Sequence, residues 1–334
     1  MRISIFSQII IAGVLLCSSL AQAEPLKIRT GYVVPTSGYT PLVLEKKDLL
    51  KHYGTSYLME PQKFQGTAPQ LTAFAAGEID IATIGYSTFA LAVLNAKMDD
   101  ARIVADGFQD GADGFNSTTF MVRNDSGIAK VEDLKGKVIA TNGFGGAYDV
   151  GIRSMLRKHG LEDKRDYSVI ESDFAHMNTM LLDRKASLTI GSMPFLLDPA
   201  MKENAHTLFS LRDSMGRTQM IIQAARQGYL DKNRAALNDF FEDMLASLRW
   251  FHDPKNHAEV VGIVAGLTKQ PPEKLDAYLF INKDFYYNMD GLPDLDALQN
   301  NIKTLRDLDM IKGDVDVKKH TDLSFVKEAA KRLN

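Results

Sequence analysis

Apolar and polar positions alternate from Leu26 to Val33 and stop at Pro35-Thr36-Ser37-Gly38, which predicts a half-buried strand running into a turn. A helix is expected next, with Thr40 as N-cap and Pro41 in its first turn, where the missing proline N–H costs nothing. The same rhythm repeats. Tyr57 to Phe64 reads as a strand, Gln65-Gly66-Thr67 leads to a helix opening at Ala68-Pro69, and Gly77 ends that helix as a C-cap. Ile79 to Ile84 is a short buried strand, and Ser87 or Thr88 is expected to cap the helix bearing Leu91, Val93 and Leu94.

Asp106 to Asn116 is rich in glycine and aspartate and reads as a connection. Beyond it, Thr118 to Arg123 is a crossing strand, Val131 to Lys137 a helical turn, and Val138 to Thr141 a strand feeding the glycine-rich run Asn142 to Tyr148. A helix to Gly160, a strand at Ser168 to Glu171, a helix near His176 to Leu182, and the segments Ala186 to Ile190 and Pro194 to Met201 complete a second unit. Thr218 to Ala224 alternates and is expected to cross back. From Asp231 the pattern is helical, with Leu237, Phe240, Phe241, Met244, Leu245 and Leu248 at helical spacing, a scaffold for the first unit. Strands alternating with helices predict an α/β protein of two lobes, each a mainly parallel sheet flanked by helices. The expected division is 1–23, a leader; 24–112, first lobe; 113–217, second lobe; and 218–334, return to the first lobe with the C-terminal helices.

The leader changes the expected compartment. Arg2, the apolar run Ile9 to Leu16 and Ala21-Gln22-Ala23 form a secretory signal with cleavage before Glu24, too short in its apolar part for a permanent anchor. Cys17, the single cysteine, falls inside it and follows the bulky Leu16, which argues against lipid attachment. The mature chain is thus expected in the periplasm, without disulfides, thiolate nucleophiles or cysteine-bound metal. A formal net charge of −3 gives no electrostatic case for nucleic acid or for an anionic membrane as partner.

Open α/β sheets bind ligands beyond the carboxyl ends of their strands. The junctions there carry small and hydroxyl residues: Ser37, Gly38 and Tyr39; Gly66 and Thr67; Tyr86 and Ser87; Phe144, Gly145, Gly146 and Ala147. Free N–H groups at the positive end of a helix suit an anion. One such junction alone is ordinary capping; several facing one cleft favour binding. These loops contain neither Lys nor Arg, so neutralisation falls to helix ends, hydroxyls and His176. Aromatic residues at or near the junctions (Tyr39, Tyr86, Phe115, Phe144, Tyr148, Phe174 and Phe195) point to a carboxylate or sulfonate with a flat or apolar body; Asn116 and Met193 complete the candidate set. The glycine run lacks the endings of phosphate and dinucleotide loops, and no serine, histidine or carboxylate falls in a triad or metal-ligand spacing. No cofactor and no metal is expected.

The run Gly66-Thr67-Ala68-Pro69-Gln70-Leu71, followed by Ala75-Ala76-Gly77-Glu78-Ile79-Asp80-Ile81-Ala82 and Gly85, resembles the first-lobe signature of nitrate/sulfonate/taurine-type solute-binding proteins. Val131 to Ala140 is similar to that family's entry into the second lobe. Leu308-Asp309-Met310-Ile311, Asp316-Val317 and Asp322-Leu323-Ser324-Phe325 resemble its closing segment. The resemblance implies a type II periplasmic-binding fold with a two-segment hinge and a monomeric receptor for a small organic anion. It also implies partnership with an ABC permease and its ATPase, the membrane being reached only through the permease. Ser37 to Tyr39, Gly66-Thr67, Tyr86-Ser87 and Phe144 to Ala147 would face the ligand. Gly191-Ser192-Met193-Pro194 departs from the family, whose members often carry Trp before the Pro. Enzymes on the same fold, resembling thiamine-pyrimidine synthases or desulfinases, are the alternative, but their sites use cysteine. A receptor for a membrane sensor is a third reading.

Overall fold

A computed structural model describes residues 24–334; the expected leader lies outside the described residues. The alternating segments form strands where their periodicity puts them: β1 (Leu26–Tyr32), β2 (Tyr57–Lys63) and β3 (Ile81–Gly85). With β4 (Ala101–Asp110) and β10 (Thr218–Arg226) they make one five-stranded sheet in the order β2-β1-β3-β10-β4. β1 runs parallel to β2 and β3, whereas β10 lies antiparallel to both β3 and β4.

The second lobe holds β5 (Thr119–Arg123), β6 (Val138–Thr141), β7 (Ser168–Glu171), β8 (Thr189–Gly191) and β9 (Ala205–Ser210). β5 pairs antiparallel with β8 and β9, and β6 pairs parallel with β7. Backbone bonds from Ser187 to Val138 (2.7 Å) and from Ala140 to Leu188 (2.9 Å) join the two groups. Each lobe is therefore parallel except for one strand, and the exception is the strand that enters from the other lobe. Both carboxyl-end edges consequently carry strand-to-helix junctions, as a cleft site requires.

The C-terminal tail covers the first sheet. Helix Arg234–His252 buries Leu237, Phe240, Phe241, Met244 and Leu245 on one face. Phe240 meets Tyr57 of β2 edge-on at 5.4 Å, and Phe241 packs on Phe325 of helix Ser324–Leu333. The tail is not helical throughout: Asp284 to Leu292 runs as irregular chain along β4, bridging at Gln109 and Tyr286. Among the described residues no helix is long and apolar enough to cross a membrane.

Two strands escape the pattern. β9 was hidden by the mixed polarity of Ala205-His206-Thr207-Leu208. β4 is the larger correction, because its second half, Asp106 to Asp110, reads as connection. Those residues are instead buried and internally satisfied. Asp106 accepts from Gln219 Nε2 (2.6 Å) and Asn288 N (3.0 Å), and Asp110 accepts from Ser117 Oγ (2.5 Å) and Thr118 N (3.0 Å). A polar strand is stable inside a protein when each polar group finds a partner.

Burial raises the Asp106 carboxyl from 3.8 to about 7, its hydrogen bonds and the charge of Arg217 offsetting only part of the effect. An acid whose folded pKa exceeds its unfolded value adds stability below the unfolded value and loses it as pH rises through the folded one. Wild type should therefore gain thermal midpoint relative to Asp106→Asn as pH falls from 8 to 5. A difference that stays constant over that range would show that Asp106 is charged throughout.

Candidate functional site

Three helices that leave the carboxyl ends of strands start behind glycine. Gly66 precedes Thr67–Ala75, Gly85 precedes Tyr86–Leu94, and Gly146 precedes Ala147–Lys158. Glycine has no side chain to bond the first-turn N–H groups, and none of the three starts is capped by a side chain. Ser87 and Thr88 were expected as caps; they lie inside the first turn, both buried.

Two contacts tie these starts together. The hydroxyls of Thr67 and Thr88 share a hydrogen bond at 2.7 Å within the first lobe. The buried hydroxyl of Tyr86 donates to the carbonyl of Ala147 at 3.3 Å, from the first lobe to the second. Tyr86 and Ala147 are each the first residue of their helix, so a side-chain hydrogen bond links two helix starts across the lobes, and the Thr67–Thr88 bond ties the third to the first of them. Of the sequence-predicted residues, this geometry unites Gly66, Thr67, Tyr86, Ser87, Gly146 and Ala147.

Others are used elsewhere. Ser37 Oγ donates to Val34 O at 3.0 Å in a single turn, and Gly38 is buried beside it. Tyr39 points into the core. Its hydroxyl is bonded to His252 Nε2 at 3.0 Å, and its ring packs against Phe280 and Tyr287. Burial lowers His252 to about 3, so the ring there is neutral. Phe115 and Asn116 join the tail, Phe115 edge-on to Tyr286 at 5.1 Å and Asn116 N donating to Asp284 O at 3.1 Å. In the glycine run, Phe144 N donates to Glu171 Oε1 (2.5 Å) and Gly145 N to Asp149 Oδ2 (2.9 Å), so two expected anion donors are already taken. His176 is turned outward, its side chain 69% exposed and paired with Asp173 at 2.8 Å. Asp173 caps the helix Phe174–Leu182 that carries His176. Met193 is half-buried in the link after β8.

The exposed large apolar side chains among the described residues are Val34, Phe115 and Phe144. Each sits on a loop at the carboxyl edge of its sheet, where the alternation pattern alone would not single out Val34. A cavity of about 670 Å³ flanks helix Ala147–Lys158 and reaches Met310 of the tail. Its arginines are committed: Arg153 to Asp149 (2.9 Å) and Asp163 (2.6 Å), Arg157 to Glu162 (3.3 Å) and Asp307 O (2.6 Å). His52, Asp239 and Glu242 lie close enough to share a cation, but Arg332 and Lys51 already pair with those carboxylates.

Two lobes of mainly parallel strands, each entered by one antiparallel strand and meeting at helix starts, define the two-lobed type II periplasmic-binding fold. The NMT1-like family matches residues 21–265, and the chain belongs to that family. In structure it is similar to the periplasmic aliphatic sulphonate binding protein SsuA from Escherichia coli, at 18% identity and TM-score 0.67, over 89% of this chain and 98% of that one. The periplasmic nitrate-binding protein NrtA from Synechocystis PCC 6803 gives 17% identity and TM-score 0.70, over 93% and 90%. The desulfurization enzyme DszB gives 11% identity and TM-score 0.66, over 92% and 100%. Among curated proteins no significant match is found.

A neutral hydrogen bond contributes about 0.5–1.5 kcal/mol net, which is roughly a twofold to tenfold shift in an equilibrium. Tyr86→Phe should move the ligand-free protein toward open lobes by that factor, read as a larger radius of gyration in small-angle scattering. An unchanged profile would mean that other contacts hold the lobes together.

Proposed function

We propose that this chain is the solute-binding component of an import system. It captures a small organic acid, a sulfonate or a carboxylate with a flat or apolar body, between its two lobes. The observation that carries this reading is the meeting of three glycine-capped helix starts, with two of them linked across the lobes by Tyr86 and Ala147. Each helix end contributes up to about 2 kcal/mol toward an anion, and micromolar affinity needs about 8 kcal/mol. The remainder falls to apolar contact, for which Val34, Phe115 and Phe144 are available at the rim, and to lobe closure.

The hinge of this closure lies at the two crossings, consistent with lobes of 24–112 plus 218–334 and of 113–217. Two of the relatives in structure are named as periplasmic proteins that bind aliphatic sulphonate and nitrate. On this reading the chain is a monomeric periplasmic receptor, exported on the 1–23 leader, that delivers to an ABC permease and its ATPase. An enzymatic role like that of the desulfurization enzyme finds less support, because the chain's single cysteine is Cys17 in the leader.

Titration calorimetry with alkane- and arylsulfonates and with aliphatic and aromatic carboxylates should return at least one micromolar ligand. A hydrogen bond to a charged group is worth about 1.5–3 kcal/mol. Ser87→Ala and Thr67→Ala should thus each weaken binding roughly tenfold to hundredfold. Wild-type affinity in both variants would reduce the two hydroxyls to local structure. A screen that returns only cations would sink the anion reading. His176→Ala should leave affinity unchanged from pH 6 to pH 8, since Asp173 already holds that ring.

A further inference from the structure

In the first sheet, β1 lies between β2 and β3, and the chain leaves β1 toward one side and β3 toward the other. The crevice between their carboxyl ends is the switch point at which such sheets take ligands. β1 pairs with β3 only at Thr30–Ile81 and Gly31–Ala82. The next N–H in line, that of Thr83, is taken instead by a side chain: Gln70 Oε1 accepts from it at 2.5 Å. Gln70 sits in the first turns of the glycine-capped helix Thr67–Ala75 and reaches down into the crevice. It is fully buried, and its Nε2 has no partner.

The backbone around this amide is bare. A Cβ on Gly31 would stand 2.6 Å from Gln70 Oε1 and 2.8 Å from its amide carbon. A Cβ on Gly38 would stand 2.9 Å from Tyr32 Cβ and 3.3 Å from Thr83 Oγ1. Gly31 thus leaves room for a glutamine between the ends of β1 and β3, and Gly38 lets the following turn pack closely on Tyr32 and Thr83. A buried donor without a partner costs about 1–3 kcal/mol, so a residue that keeps one where a ligand can supply the acceptor is a candidate for contact with it.

We propose that Gln70 is a ligand-contacting residue at the floor of the first-lobe half of the site, donating from Nε2 to an acceptor oxygen of the bound molecule. The inference rests on the binding reading above and adds to it a neutral, directional donor beneath the helix ends. Such a donor selects for a ligand oxygen at the crevice and against a ligand that presents only donors there.

Gln70→Glu keeps an acceptor for Thr83 N–H and replaces the donor by a second acceptor. With ethanesulfonate and benzenesulfonate as probes, the variant should bind the probe that wild type takes about a hundredfold more weakly at pH 8. Relative to wild type it should recover as pH falls to 5, because the protonated carboxyl donates again. At pH 5, where the carboxyl is protonated, the ligand-free thermal midpoint should stay within a few degrees of wild type. A merely structural role would lower that midpoint and leave the affinity ratio independent of pH.

A second measurement needs no variant. In wild type, the Gln70 side-chain amide resonances, assigned through their contact with Thr83, should shift on addition of the bound probe. Equal affinity of variant and wild type at both pH values, or unshifted amide resonances at saturation (as a trapped water on Nε2 would give), overturns the role of Gln70 and leaves the binding reading standing. Wild type that takes neither sulfonate, nor any carboxylate in the calorimetric screen above, overturns both.

Discussion

The insertion of β10 between β3 and β4 is the constraint on which the rest of the molecule depends. Its ladders to both neighbours close the first sheet with a segment that arrives only after the whole second lobe has been built. Gln219 makes this insertion specific. Its Nε2 donates to Asp106 of β4, its backbone N–H donates to Asn301, and its Oε1 accepts from Asp294 N at the start of helix Leu295–Asp307. One buried amide therefore joins sheet, return strand and tail. Because the groups are out of water, leaving any of them unpaired costs more than a typical surface bond contributes.

That arrangement explains which parts of the fold were legible in the sequence. β1, β2, β6, β7 and β10 carry alternation or short apolar runs, and their ends fall within a residue or two of expectation. β4 does not, because Asp106 and Gln109 are satisfied by groups far away in sequence, Gln219, Asn288 and Tyr286, while Asp110 is satisfied by Ser117 and Thr118 just beyond the strand. Composition reports the polarity of a segment and is silent about a partner more than a hundred positions on. For the site, the glycine and hydroxyl junctions were visible one by one. Their adjacency was not, since the Thr67–Thr88 and Tyr86–Ala147 contacts exist only once the sheets are assembled. The partners of Tyr39 and His176 were hidden for the same reason: they are His252 and Asp173, and only the fold, or a cap at a helix start, reveals them.

The distribution of charge follows a consistent division of labour. The chain has 39 Lys and Arg against 42 Asp and Glu. Many arginines are bound to carboxylates that stabilise the scaffold, as in Arg29–Asp80, Arg153–Asp149, Arg226–Asp100 and Arg249–Asp290. Cations held in this way are not available to a ligand. Backbone N–H groups at helix starts are, and they bring no mobile charge of their own that would need neutralising in the empty protein.

This choice of donors bears on release as well as capture. An arginine paired with an anionic ligand would hold it through a charge-assisted bond even in a partly open cleft. Helix ends and neutral amides act strongly only while water is excluded, because their partial charges are screened once the lobes part. A receptor that must first hold a solute and then give it up gains from having its affinity reside in closure. In this chain the link between closure and affinity is short: Tyr86 opens one of the helices that would face the ligand, and its hydroxyl reaches the second lobe. Separating the lobes would break that bond and admit water to the helix starts in the same motion, so a solute held there would lose its donors when the cleft opened.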